Sequence, residues 1–148
     1  MTWTQDFQAA RKEAQSLSDI EDFSTLVKLA ETVGQALQRD DVSSRQLRVL
    51  LSETTAGVSR IRRGRTLGLS LSTPNREQQD KAAKREAALL NISLIYNAGR
   101  EKKGTQSIKL LADLMGSMTG HVNTFEDFKV LRKFSEAIIA YFKFHGGK

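Results

Sequence analysis

The sequence predicts an all-α protein, a compact bundle of about five helices. Three observations support this fold class: apolar residues recur at helical spacing through most of the chain, Pro occurs once, and runs of β-branched residues are few. A chain of 148 residues is long enough to bury a substantial core. We therefore expect one helical domain over residues 1–148.

The amino-terminal third is expected to contain one firm helix. Residues 1–18 indicate a weak helix or a mobile arm, in which Trp3 and Phe7 are four positions apart and can pack together. A firmer helix is expected from Ser18 or Asp19 to Arg39. Its apolar residues are Phe23, Leu26, Val27, Leu29, Ala30, Val33 and Leu37.

The next helix is expected to begin at a Ser43 or Ser44 cap and to end near Arg63. Its core face is predicted to carry Leu47, Leu50, Leu51, Thr54, Val58 and Ile61. The opposite face is predicted to carry Arg45, Arg48, Ser52, Ala56, Ser59 and Arg63, with Arg60 and Arg62 at its flank. Small residues between arginines allow a nucleic-acid backbone to approach while guanidinium groups bind phosphates. The alternative interpretation is an ordinary solvated face.

A loop and two helices are predicted to follow. Residues 64–75 contain Gly, Pro, Ser and Thr, which indicates a flexible loop, although the alternating Leu67, Leu69 and Leu71 also allow a short extended piece. A long helix is expected over residues 76–103 and another from about Thr105 to Ser117. Basic residues at the end of the long helix, namely Arg100, Lys102 and Lys103, suit either the helix dipole or an anionic ligand.

The last helix, within residues 125–148, holds five of the seven Phe residues and is expected to bury the largest apolar area per residue. Thr124 is its predicted N-cap, with Asp127 in the place of the capping-box Glu. Tyr141 and Phe144 fall off the apolar stripe. They are expected to be covered by a second helix, with a subunit contact or a base-stacking platform as the alternative.

Charge is distributed unevenly, which indicates an anionic partner on one side of the molecule. The net charge is +6, yet residues 1–41 contain four basic and eight acidic residues. Residues 45–65 contain six Arg and one Glu, and residues 66–148 contain 13 basic and eight acidic residues. A concentrated basic segment of this kind favours binding to nucleic acid.

The sequence carries no pattern that predicts catalysis, a metal site or a cofactor. Cys is absent, and neither His121 nor His145 has a second ligand at metal-binding spacing. No Gly-rich phosphate loop with its Lys-Ser or Lys-Thr ending occurs. No apolar run approaches the roughly 20 residues of a membrane span, so a membrane partner is not expected.

Three segments resemble the small subunit of type III-A (Csm) CRISPR interference complexes. The most specific is the ending FSEAIIAYFKFHGGK, residues 134–148. The other two are SSRQLR, residues 43–48, and YNAGR, residues 96–100. His145 stands where that family is expected to carry an aromatic residue, and residues 1–42 and 64–75 carry no resemblance.

The resemblance implies a non-catalytic, cytoplasmic subunit of an antiviral ribonucleoprotein. Its implied partners are the guide RNA, the target RNA, other Csm subunits and further copies of the same chain. It implies that Arg45, Arg48 and Arg100, which lie on the matching segments, contact RNA. Helical periodicity adds Arg60, Arg63 and Lys133 as further candidates.

Two alternative functions remain open on the sequence alone. One is the small subunit of a type III-B complex or another helical RNA-binding protein. The other is a helical scaffolding module that does not bind nucleic acid. A helix-turn-helix DNA reader fits less well, because the Arg-rich helix is long and lacks a short Gly-containing turn before a compact recognition helix.

Overall fold

A computed structural model of the chain describes residues 2–66, 69–70, 73–100 and 105–148. The α-helices of these residues are α1 (Trp3–Arg11), α2 (Phe23–Arg39), α3 (Ser44–Arg63), α4 (Arg76–Arg100), α5 (Thr105–Thr119) and α6 (Phe125–Phe144). The predicted all-helical fold is confirmed, with six described α-helices where about five were expected. The additional helix is α1. It lies within residues 1–18, for which either a weak helix or a mobile arm was expected.

Helix α6 is the central element of the bundle. It packs against α2 and α3 most extensively and also contacts α4. Its capping box is confirmed, since Thr124 and Asp127 exchange hydrogen bonds between side chain and backbone. The buried residues of this helix are Phe125, Asp127, Phe128, Leu131, Phe134, Ser135, Ile138 and Phe142. The aromatic face predicted from the sequence therefore forms much of the core.

Glycine allows α2 to lie directly on the backbone of α6. A Cβ atom at Gly34 would lie 2.8 Å from both the carbonyl oxygen of Ile138 and the amide nitrogen of Phe142. Only a residue without a side chain fits such a close approach of two backbones. Tyr141, beside this contact, is half-buried against α2.

Phe144 is not covered by another helix in the part of the chain that the structure describes, so that prediction was wrong for this residue. Its side chain is 80% exposed. It lies in the last turn of α6, and its ring meets the neighbouring His145 edge to edge, with ring centroids 5.1 Å apart.

Helix α1 is docked onto the bundle by its two aromatic residues. Trp3 and Phe7 are buried, and α1 packs against α5 and α2. Thr2 and Gln5 form a capping box that starts the helix. A 3-10 turn, Leu17–Asp19, then leads towards α2.

Some predicted boundaries need correction. Helix α2 begins at Phe23 rather than at Ser18 or Asp19, because the Asp22 side chain accepts a hydrogen bond from the backbone N–H of Ser24 and caps the helix there. Helix α5 extends to Thr119. Residues 101–103, predicted as the end of the long helix, lie outside the described residues.

The segment after α3 starts with a left-handed Gly64, with φ 73°, which ends the helix. Strands β1 (Arg65–Thr66) and β2 (Leu69–Ser70) then pair antiparallel. The short extended piece allowed by the sequence is therefore present within the predicted loop 64–75. Four residues of that loop, 67, 68, 71 and 72, lie outside the described residues.

A buried carboxylate joins the 3-10 turn to α6. Asp127 is fully buried, and one of its oxygens accepts hydrogen bonds from the Ser18 amide at 2.8 Å and the Ser18 hydroxyl at 2.6 Å. The other oxygen accepts from the amides of Asn123 at 2.7 Å and Thr124 at 3.0 Å. Burial raises the pKa of Asp127, but the hydrogen bonds outweigh it, so the pKa lies below the ordinary value.

We expect Asp127→Asn to lower the free energy of unfolding by about 2–4 kcal/mol, because an amide cannot accept from all four donors. Thermal and urea unfolding measure this change. Glu126→Gln is the matched control, since the Glu126 side chain is 60% exposed and this variant should stay within about 0.5 kcal/mol of wild type.

The same comparison has a defined pH dependence. The folded-state pKa of Asp127 is depressed, so its contribution is fully present above the unfolded pKa of about 3.9 and is lost as pH falls through the folded-state pKa. Wild type and Asp127→Asn should therefore converge in stability on acidification below about pH 4. A stability difference that persists unchanged into strong acid would contradict this account of Asp127.

A second glycine admits an aromatic ring between helices. A Cβ atom at Gly57 of α3 would lie 2.6 Å from Cζ of Phe128, whose ring is buried. We expect Gly57→Ala to destabilise the protein by roughly 1–3 kcal/mol through this overlap. Gly99→Ala is the control, because among the described residues no atom outside the adjoining helix backbone lies within 4 Å of its Cβ position, and the helix should gain up to about 1 kcal/mol. Equal unfolding temperatures for the two variants would contradict the packing argument.

Candidate nucleic-acid interface

The outer face of α3 carries exposed arginines, as its periodicity predicts. Ser43 caps the helix in a capping box with Gln46, which fixes the register of the following residues. Leu47, Leu50 and Ile61 are buried. Arg45, Arg48 and Arg63 are all exposed. The helix therefore presents these three guanidinium groups away from the core.

Tertiary structure brings Arg45 and Arg100 to one groove. The groove has a volume of about 920 Å³ and lies between the start of α3, the end of α4, α5 and residues 146–148. Asn97 of α4 and Lys148 line the same space. Two arginines separated by 55 positions in the sequence thus flank a single concave surface, which can accept an extended anion.

Arg100 is supported by an aromatic ring at the rim of this groove. Its guanidinium carbon lies 5.5 Å from the centroid of the Tyr96 ring, within the range of a cation–π contact. Neither Tyr96 nor Asn97 was predicted from the sequence to have a role of its own. The contact between Tyr96 and Arg100 could have been predicted from the segment YNAGR, because positions 96 and 100 are about one helical turn apart.

Arg60 is in a different environment from the other candidates. Its Nε donates to both carboxylate oxygens of Glu86, at 3.1 and 3.0 Å, and its Nη2 donates to Oε1 at 2.7 Å. Glu86 is only 2% exposed. The hydrogen bonds to Glu86 raise the pKa of Arg60 above its ordinary value. Arg60 therefore joins α3 to α4, and this pair occupies its Nε and Nη2 groups.

Arg63 and Lys133 lie apart from the groove. Arg63 is about 27 Å from Arg45 along the axis of α3, from 1.5 Å of rise per residue. Lys133 lies about three turns before the end of α6, and its Nζ is 3.4 Å from Glu136. Lys102 and Lys103, the other predicted basic residues, lie outside the described residues.

A second cationic group surrounds Phe125 at the far end of α3. Lys129 Nζ lies 4.5 Å and the Arg62 guanidinium carbon 6.0 Å from the centroid of that ring. Arg62 was predicted only to flank the basic face of α3, and no site role was predicted for Lys129. Arg62 and Lys129 come together because of the way α3 crosses α6. The sequence of one helix by itself therefore does not predict this contact.

Both histidines contact groups that hold or orient the chain. His121 Nδ1 lies 3.1 Å from the carbonyl oxygen of Gln15, and His145 Nε2 lies 3.1 Å from Nε2 of Gln35. Among the described residues, no group of three or more His, Cys, Asp or Glu side chains is arranged to hold a metal ion. No described helix combines the length and the apolar character needed to cross a membrane.

Comparison with known proteins agrees with the resemblance seen in the sequence. Residues 20–148 match the protein family described as Csm2 Type III-A. The match includes all three of the segments singled out above and extends through α2 and α5. No curated protein and no solved structure gives a match to the chain.

The environment of Arg60 yields a test that separates structural from exposed arginines. We expect Arg60→Ala to lower the free energy of unfolding by about 1–3 kcal/mol, because it removes the bidentate partner of a buried carboxylate. The expected loss is below that of a fully buried pair, since the Arg60 side chain is 42% exposed. Arg63→Ala, the control, should change stability by less than about 0.5 kcal/mol. Equal unfolding midpoints for these variants would remove the structural role of Arg60.

Proposed function

Because the chain belongs to the Csm2 Type III-A family, the small subunit of type III-A CRISPR complexes, we propose that it holds target RNA in the complex through the groove between α3 and α4. The observation that carries this proposal is the convergence of Arg45 and Arg100 on one concave surface. The partners in this proposal are the target RNA paired to the guide RNA, other Csm subunits and neighbouring copies of the chain.

The proposed mechanism is electrostatic. Guanidinium groups remain charged at every physiological pH and can donate two parallel hydrogen bonds to one phosphate. Arg48, exposed about one turn after Arg45, extends the basic surface along α3. Such contacts position an RNA backbone but do not read its sequence, so pairing between guide and target supplies the specificity. The role requires no catalytic side chain.

The candidate residues take different roles in this proposal. Arg45, Arg48 and Arg100 contact RNA in or beside the groove. Arg63 and Lys133 are secondary contacts for phosphates farther along the strand, because both are exposed but distant from the groove. Arg60 was expected to contact RNA as well, and its pairing with Glu86 leads us to propose a structural role instead.

We expect Arg45→Ala combined with Arg48→Ala to weaken target-RNA capture by the assembled complex and to flatten its salt dependence. Each lost phosphate contact should reduce the slope of log affinity against log salt by about one. Arg45→Ala with Arg100→Ala should act similarly, because both residues line the groove. Filter binding of target RNA over a salt titration measures both quantities.

The control is Lys28→Ala combined with Lys109→Ala, which removes the same charge from exposed positions on α2 and α5. It should lower capture only slightly, by loss of long-range attraction. If the groove variants enter the complex normally and capture target RNA with wild-type affinity and salt slope, the RNA-binding proposal fails. A scaffolding role without RNA contact would then be favoured.

A further inference from the structure

Tyr96 presents an aromatic ring to solvent at the rim of the groove. The residue is 65% exposed, whereas Leu94 and Ala98 of the same turns are buried on the inner side of α4. The Arg100 guanidinium lies over this ring, with its carbon 5.5 Å from the ring centroid. A ring that meets a cation on one face and is still mostly exposed offers its remaining face to a ligand.

Space is open beside the ring. Gly99 lies three positions after Tyr96, on the same side of the helix. In the described part of the chain, no atom beyond the adjoining helix backbone lies within 4 Å of the position that a Cβ at Gly99 would take. A planar group therefore has room to approach Tyr96 from the side of Gly99.

The residues next to the ring suit the other parts of a nucleotide. Arg100 lines the groove and, together with Arg45, supplies positive charge for a phosphate. Asn97, the residue after Tyr96, is half-buried and lines the same groove. Its amide contains a donor and an acceptor, which can form hydrogen bonds with the edge of a base. One end of the groove therefore combines an aromatic surface, an amide and cations.

The charge of the groove favours a polyanion as the ligand. Its lining contains three cationic side chains and one carboxylate, namely Arg45, Arg100, Lys148 and Asp41. An exposed aromatic ring beside such a surface is the arrangement by which proteins bind single strands of nucleic acid, since the cations hold the backbone and the ring stacks on a base. A nucleotide therefore explains both the charge of the groove and the exposure of Tyr96.

An unpaired nucleotide suits this site better than a base pair. In an A-form duplex the neighbours in each strand cover both faces of an internal base, so that base has no free face for an aromatic side chain. A base turned out of the stack exposes its faces and can lie on an aromatic ring or on a guanidinium group. Phosphate contacts do not make this distinction, because paired and unpaired strands both carry phosphates.

We propose that Tyr96 is a base-stacking residue: one unpaired nucleotide of the bound RNA lies with its base on the Tyr96 ring and its phosphate at Arg100. This inference rests on the proposed function, because the phosphate contacts at the groove bring the strand to the ring. It adds a preference for an unpaired nucleotide over a continuous duplex. The site accepts any base, because every base has a π face.

Binding of short RNA strands by the full chain tests the stacking site. The probes are a single-stranded oligouridylate, the same ribose-phosphate strand without bases, and an RNA duplex, each measured by fluorescence anisotropy at low salt. Wild type should bind the oligouridylate about fivefold or more tightly than the base-free strand. Tyr96→Leu should remove most of this advantage, and its affinity for the duplex should stay within about twofold of wild type.

Two variants separate the ring from other effects. Tyr96→Phe should bind all three probes to within about twofold of wild type, since stacking requires the ring but not the hydroxyl. Phe23→Leu is the matched control, because it removes a ring that is 39% exposed at the start of α2, beside the carboxylates of Glu21 and Asp22. It should leave RNA binding unchanged. Tyr96→Leu should keep the wild-type unfolding temperature, because the residue is mostly exposed.

Salt dependence distinguishes the stacking site from the proposed function. Stacking neutralises no phosphate, so Tyr96→Leu should lower the affinity for oligouridylate without changing the slope of log affinity against log salt. Arg45→Ala with Arg100→Ala should reduce that slope. Groove variants that keep wild-type RNA affinity and slope would contradict the proposed function itself.

Three results would overturn the stacking site while the groove variants behave as expected. The first is a wild-type chain that binds the oligouridylate and the base-free strand equally, or that binds neither. The second is a Tyr96→Leu chain that loses the same factor in affinity for all three probes. The third is a Tyr96→Leu chain that binds RNA like wild type but fails to enter the Csm complex, which would assign the ring to a protein partner.

Discussion

Burial of the aromatic face of α6 is the constraint on which the arrangement of the other helices depends. The rings of Phe128, Phe134 and Phe142 are almost completely removed from solvent, and α2, α3 and α4 all pack around them. Gly34 lets the α2 backbone reach α6, and Gly57 makes room for the Phe128 ring beside α3. Helices α3 and α4 both pack on α6. The start of α3 and the end of α4 line the groove.

Local environment divides the arginines of α3 into two classes. Arg60 pairs with the buried Glu86 side chain, since a carboxyl group in the interior requires a partner with well-formed hydrogen bonds. Arg45, Arg48 and Arg63 lie on the exposed face and remain solvated. The arginines of α3 therefore have two uses. Arg60 pairs with a buried side chain, whereas the other three add positive charge to the surface.

Helix α4 shows how one element can serve the fold and an assembly at once. Its inner face completes the core, its end supplies Arg100 to the groove, and its outer face is apolar where a monomer would ordinarily be polar. The proposed function gives the groove to RNA. Tyr96 connects the groove to the exposed side of α4, because its exposed ring lies against the Arg100 guanidinium.

Much of the fold was predictable because local patterns and tertiary packing agree. The periodicity of α3 and α6 and the capping boxes at Ser43 and Thr124 act over a few residues, so the sequence alone was sufficient to predict both helices. Motif resemblance likewise identified the family, because the segments 43–48, 96–100 and 134–148 are contiguous in the chain.

Tertiary structure alone decided which charged groups meet. Periodicity placed Arg63 on the basic face of α3 and Arg60 at its flank, but it did not predict the ion pair of Arg60, because Glu86 lies 26 positions later and on another helix. The convergence of Arg45 and Arg100, the docking of α1 and the exposure of Phe144 likewise follow from how helices cross. Periodicity assigns each side chain to a face of its own helix, whereas ion pairs, grooves and uncovered surfaces depend on which faces the packed bundle brings together.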